Sequence, residues 1–395
     1  MASRETRRTG LIWLAFLESL AAILLQRGIY FYAHSLFRYT EAQNLLLALV
    51  VGVSYVAGAL SSHAIALRAG ERRAIVANLA CVWVAHVTLA GFPKPAVVTA
   101  LFPVVAFLQG MKWPIVESFV SAGLTPSEVN QVLARYNVVW SLSVPVAVSI
   151  SGPLIASPWP WTLFALPAAI NIVGLLLSLR LPLRPLHIEL HHPERPPAEA
   201  LARCGSLMLS SRWSLIATYS LLFLLAPLLP TVFDRFELSV RQATFCAALI
   251  DVARPISFAA LGYFTGWQGR AAPLTVLAMV LPVGFAMVLF GSNLGTVLVG
   301  EALFGLFAGL AYYASLYYSM VVKNASVDAA AGHESVIGLG FAIGPAVGLL
   351  GQEMNQILGT HTVGMLAGVI PLVTVCILGA LRPLSRLRAR ATVSG

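Results

Sequence analysis

Charge is what this chain has least of. Asp, Glu, Lys and Arg make up only 10% of its 395 residues, while hydrophobic residues make up 58%. With a mean hydropathy of +0.83, a soluble globular protein is excluded, because such a fold could neither bury nor expose that much apolar surface. Cysteine is almost as scarce. Cys81, Cys204, Cys246 and Cys376 are far apart and form no Cys-x-x-Cys pair, so they suggest neither a disulfide framework nor a metal site. Also missing are a Gly-x-x-x-x-Gly-Lys-Ser/Thr loop, a His-Glu-x-x-His, a Gly-x-Ser-x-Gly and paired aspartates within one apolar run. These absences argue against a nucleotide-driven pump and a membrane-embedded enzyme, and no cofactor is implied.

What the chain has in quantity is long apolar runs. A bilayer crossing needs about 20 mostly apolar residues. Twelve such spans are predicted at 10–33, 43–67, 72–91, 96–120, 129–155, 160–180, 213–234, 241–265, 272–290, 295–321, 333–357 and 362–381. The expected class is therefore an all-α, multi-pass membrane protein with its termini on one side. Arg4, Arg7 and Arg8 precede an apolar run, as in a signal peptide. Glu18 interrupts that run and no small-residue cleavage site is evident, so it reads as a retained first span.

The net charge of +9 is a topology signal. Of the 25 Lys and Arg residues, seventeen fall on the termini and even-numbered connections, four on the opposite side and four within spans. Cytoplasmic loops retain Lys and Arg, so both termini are expected in the cytoplasm, with the short loops pointing to a cell inner membrane. A nucleic-acid partner is disfavoured because the arginines are scattered over several loops.

The longest polar segment, 181–212, is rich in proline and contains His187, His191 and His192. Prolines remove backbone donors and charges disfavour burial, so it reads as a solvated linker with a short surface helix at Ala198–Arg203. It divides the chain into an N-terminal six-helix bundle (1–180) and a C-terminal bundle with a basic tail (213–395). The halves echo each other. Glycine-basic turns follow the second span (Arg68-Ala69-Gly70-Glu71-Arg72-Arg73) and the eighth (Gly262 to Gly269-Arg270). Gly152-Pro153 in the fifth span matches Gly344-Pro345 in the eleventh, and small residues at such positions let helices approach closely.

In these respects the whole chain resembles the major facilitator superfamily of twelve-span secondary transporters. Arg68, Gly70 and Arg73, and then Gly262, Gly269 and Arg270, fit that family's gating turn, Gly-x-x-x-Asp-Arg-x-Gly-Arg-Arg. Leu67 and Gly266 stand where the acidic residue is usual, so the usual acidic latch is absent. Leu108-Gln109-Gly110 resembles the family's Arg-x-x-Gln-Gly element without its arginine, an arginine associated with proton-coupled members. The resemblance implies two six-helix pseudo-repeats and alternating access, with a cavity lined by spans 1, 4, 7 and 10. It thereby selects Glu18, Arg27, Tyr30, Gln109, Lys112, Tyr219, Glu301, Tyr312 and Tyr313 as substrate or coupling candidates.

The embedded charges reach an overlapping set independently, since each costs about 2.5–3.5 kcal/mol to insert. Glu18 lies about 12 Å into its span at 1.5 Å per residue, near the midplane. Nine residues separate it from Arg27, which puts the two on opposite helix faces. Glu117 and Arg135 fall at similar depth and read as a pair. Asp251 and Arg254 share a face at i,i+3 and can neutralise each other. Glu18 and Glu301 have no local partner, and an unpaired carboxyl in hydrocarbon can carry a proton. Arg27 and Lys112 together suit an anionic solute. The tyrosines offer flat apolar faces with hydroxyls, which suits sugars, aromatic compounds or amphipathic drugs.

The expected function is a secondary transporter moving a small solute, with protons as a candidate co-ligand, acting as a monomer in the lipid bilayer. A facilitator, a drug-efflux carrier, and a transporter-fold sensor or scaffold without flux stay open as alternatives.

Overall fold

The structure, a computed structural model, describes residues 4–121, 123–124, 126–184, 197–323, 327–360 and 362–393, with backbone alone for 4–8, 126–127 and 388–393. Among these residues there is no β-strand. The helices are α1 (Arg4–Phe37), α2 (Glu41–Ala69), α3 (Glu71–Gly91), α4 (Pro95–Ser121), α5 (Pro126–Ile155), α6 (Thr162–Ser178), α7 (Ala198–Asp234), α8 (Val240–Ala247), α9 (Leu249–Tyr263), α10 (Ala272–Phe290), α11 (Leu294–Val322), α12 (Val327–Leu358) and α13 (Val363–Val393).

Eleven segments are long and apolar enough to cross a membrane, with α8 and α9 together making one of them. The twelfth, α6, has 17 residues, or about 26 Å, slightly less than the hydrocarbon thickness. This is a multi-pass helical membrane protein.

Local chemistry sets several helix ends. Thr40 and Gln43 form a capping box at α2, and Ser239 and Gln242 form another at α8. The side chain of Asn293 accepts from the Thr296 amide at the start of α11. The eighth crossing is broken at Ala248, between α8 and α9. Pro255 lies one turn beyond Asp251 and cannot donate to the Asp251 carbonyl, which weakens the ladder at that level.

The segment expected to be a linker, 181–212, is only partly one. The seventh helix starts at Ala198, so the predicted surface helix is the first part of α7. His187, His191 and His192 lie outside the described residues.

Close helix contacts occur where glycine removes a side chain. A Cβ on Gly58 would lie 2.0 Å from the Phe107 carbonyl oxygen, and one on Gly110 would lie 2.2 Å from that of Tyr55, so α2 and α4 meet backbone to backbone. Between the halves, a Cβ on Gly52 of α2 would lie 2.3 Å from the Phe341 carbonyl oxygen of α12, and one on Gly262 of α9 would lie 2.3 Å from the Ala134 Cβ of α5. The halves therefore meet along two seams, α2 with α12 and α5 with α8 and α9.

Gly344 seats α12 against α7, where a Cβ would lie 2.0 Å from the Ser220 carbonyl oxygen. Gly344→Val is expected to cost about 1–3 kcal/mol through overpacking. A lower melting temperature in detergent would show it, and an unchanged one would contradict this contact.

Candidate functional site

A central cavity lies between the halves, lined by α1, α2, α4, α5, α7, α9, α11 and α12. Its free volume is about 80 Å³, room for a few waters rather than a drug-sized solute. Aromatic rings fill most of the wall. Phe223 and Phe341 stack at 3.5 Å, Trp140 and Tyr312 lie 5.3 Å apart, and Tyr219 lies 6.4 Å from Tyr312.

Polar contacts join the halves on either side of the cavity. On one side His34 contacts Asp234 at 2.8 Å, and Gln352 donates to Glu41 at 2.5 Å. On the other, the Asn130 amide donates to the Gly262 carbonyl at 3.2 Å, and the Tyr313 hydroxyl donates to the Asn130 carbonyl at 2.9 Å.

One charge cluster faces the cavity and crosses between the halves. Asp251 on α9 is contacted by Arg27 on α1 at 3.1 Å and by Arg254 at 3.0 Å. All three are buried, and all three line the cavity. One carboxylate thus sits between two guanidinium groups, and Arg27 Nη2 has no partner among the described residues. Glu301, on α11, is fully buried, and neither of its carboxyl oxygens has a hydrogen-bond partner among them. Arg27 and Asp251 are the charges that act on it.

A second cluster lies inside the N-terminal half, away from the cavity lining. Glu18 is not unpaired, as its own helix had suggested. Lys112 donates to it at 2.8 Å, and Asn171 on α6 donates to both of its oxygens at 3.1 Å. His86 on α3 lies 2.6 Å from the Asn171 oxygen. Gly174 makes room for this network, since a Cβ there would lie 2.1 Å from a Glu18 oxygen. Lys112 is therefore committed to Glu18 and does not join Arg27 at a common anion site. Tyr30 and Gln109 are buried but do not line the cavity.

No ion pair joins Glu117 to Arg135: Arg135 is exposed and Glu117 is buried. Instead Glu117 accepts from Tyr312 at 3.2 Å and lies against Glu334 and His333 of α12. Tyr55 donates to Glu334. Sequence reasoning missed Glu334, His333 and Tyr55. The eleventh span was started at residue 333, whereas α12 starts at Val327, so both residues lie nearly two turns inside the helix. An Asp328-to-Glu334 acidic and histidine spacing ahead of the apolar run was the available signal.

The two glycine-basic turns sit at one end of the bundle. Gly70 and Gly269 take left-handed φ values of 81° and 69°, which favour glycine. Arg72, beside Arg68 and Arg73, donates to the Leu181 carbonyl at 3.3 Å. Arg203 donates to the Gly269 carbonyl at 2.9 Å, the Gly269 amide donates to the Tyr318 hydroxyl at 3.0 Å, and Arg270 follows. The turns are held by backbone carbonyls and a tyrosine in place of the missing acid.

Solved structures of similar shape include the human organic anion transporter MFSD10 (TETRAN), with a TM-score of 0.64 and 15% identity over 97% of this chain and 99% of that one. A point mutant of the nucleoside transporter NupG has a TM-score of 0.66 and 12% identity over 96% of this chain and 99% of that one. No family model and no curated protein sequence matches the chain. The chain therefore shares the all-helical fold of these two transporter structures over nearly its whole length.

Glu18→Gln leaves the Lys112 ammonium buried without a counter-charge, and is expected to destabilise the protein by about 3–5 kcal/mol. Adding Lys112→Met should recover most of the loss. Melting temperatures of the single and double variants check this, and an equal loss in both would contradict the pairing.

Proposed function

We propose that the chain is a secondary transporter that moves an amphipathic organic anion by alternating access. The observation that carries this reading is the Arg27–Asp251–Arg254 cluster. It places two cations against one anion, spans the halves and opens onto an aromatic-walled cavity. An incoming carboxylate can take the free Arg27 Nη2 and compete with Asp251 for the guanidinium groups. The rings of Trp140, Tyr219, Tyr312 and Phe341 suit a flat apolar body. An organic anion also agrees with the first structural neighbour, an organic anion transporter. Catalysis has no place in this reading.

The halves would rock about this midplane site. Pro145 in α5 and Pro227 and Pro230 in α7 interrupt backbone ladders and allow bending. The excess of Lys and Arg on the terminal face puts both termini in the cytoplasm of a cell whose inner membrane holds the protein as a monomer. Glu18 and Lys112 hold the N-terminal half together in this reading, and the gating turns Arg68 to Arg73 and Gly262 to Arg270 hold its closed end.

Proteoliposome flux tests the reading against a panel of aromatic carboxylates and uncharged nucleosides. Carboxylate uptake is expected, with Arg27→Gln lowering it about 10-fold or more through loss of a charge-assisted bond. Uptake of uncharged solutes alone would sink the anion assignment. No flux for any solute from folded protein would favour a sensor.

Proton coupling is assigned to Glu301, whose unpartnered carboxyl lies in the field of Arg27 and Asp251. Glu301→Gln is expected to abolish the dependence of uptake on an imposed pH gradient while leaving downhill exchange. A gradient dependence that survives the substitution would remove Glu301 from the coupling step.

A further inference from the structure

The cluster at the end of the cavity nearest the glycine-basic turns is not used by the transport reading above. Glu117 comes from α4 in one half, and His333 and Glu334 come from α12 in the other. A carboxylate oxygen of each acid and a ring nitrogen of the histidine all lie within 4.8 Å of one another. Glu117, Glu334 and His333 are 1%, 3% and 0% exposed. Glu117 Oε2 and His333 Nε2 have no partner among the described residues, and both are fully enclosed.

The groups behind these three are arranged as a metal site requires. The second ring nitrogen of His333 meets the Ser315 hydroxyl at 3.1 Å, which can fix the tautomer and leave Nε2 a bare acceptor. Tyr312 donates to Glu117 and Tyr55 donates to Glu334, so each carboxylate is oriented by a hydroxyl. No Lys or Arg forms an ion pair with either acid among the described residues. Arg212, the guanidinium whose charge acts on His333, is engaged by Ser319 at 3.3 Å.

Charge balance favours a divalent occupant. One shared proton would leave a net negative charge in a buried site, and Nε2 would still lack a donor. One divalent ion cancels both carboxylates and satisfies Nε2. Metal–ligand bonds of about 2.0–2.2 Å place neighbouring donors about 3.4 Å apart, within reach of small side-chain torsions from the present spacing. Two carboxylates and an imidazole suit a divalent transition metal such as zinc or manganese.

We propose that Glu117, His333 and Glu334 form a divalent transition-metal site that ties the two halves together in the closed state. It goes beyond the choice of solute and does not depend on it. A bound ion joins α4 to α12, so it slows any movement that parts these helices.

The test uses full-length protein in detergent, with His187, His191 and His192 replaced by alanine so that the linker imidazoles do not contribute. After chelator treatment it is titrated with Co²⁺ and followed by visible absorption, with Zn²⁺ as the competitor. The expected result is one equivalent bound, displaced by Zn²⁺, with at least tenfold weaker binding in His333→Gln and in Glu117→Gln. Arg27→Gln is expected to bind Co²⁺ normally while losing flux, which separates this proposal from the transport reading. Melting temperatures establish that each variant is folded, and Zn²⁺ should raise that of the unsubstituted cluster. Two results overturn the proposal. No saturable uptake by folded protein would leave the cluster to protons. Uptake unchanged in His333→Gln and Glu117→Gln would be adventitious.

Discussion

The constraint on which the structure depends is that an ion withdrawn from water must meet an opposite charge or give up its own. In a chain with so few charges, several of the buried ones fix one helix against another. Glu18 ties α1 to α4 through Lys112 and to α6 through Asn171, and His86 extends the network to α3. Four helices of the N-terminal half are thereby joined around one carboxylate. Arg27, on the opposite face of α1, carries the same helix across to α9 through Asp251. A single helix thus holds its own half together with one charge and meets the other half with the second.

That division explains what the sequence could and could not disclose. The twelve crossings were legible because the bilayer demands about 20 apolar residues of each, whatever its neighbours. The i,i+3 relation of Asp251 and Arg254 was legible because one helix contains both. The half-turn offset of Glu18 and Arg27 was also legible, and it correctly forbids their pairing. Their actual partners were not, because Lys112 and Asp251 lie on other helices and only packing brings them near. Glu117 was matched to Arg135 by depth alone. Depth is one coordinate, and rotation about the helix axis, which depth does not give, turns Arg135 outward. Glu334 was lost through a boundary error of six residues in where α12 begins, a region where charge near a helix end masks the start of the crossing.

Glycine complements these pairs. At the seams between halves glycine allows close approach, of backbone against backbone at Gly52 with Phe341 and of backbone against a methyl group at Gly262 with Ala134. Polar contacts across the halves lie at the ends, as Asn130 with Gly262 and Gln352 with Glu41, and at the cavity, as Tyr55 with Glu334 and Arg27 with Asp251.

The central cluster carries the same argument into specificity. Asp251 satisfies two guanidinium groups only in part, because one carboxylate carries one charge and they carry two. Among the described residues no further ion pair balances that excess, and Glu301, near Arg27 and Asp251, has no hydrogen bond of its own. In the proposed reading an anionic solute beside Arg27 would supply the missing charge, and Glu301 would then hold a proton. Binding of an anion and protonation of Glu301 are in this way two solutions to one electrostatic shortfall. On that reading uncharged solutes supply neither, and the site would discriminate by charge first and by the aromatic walls second.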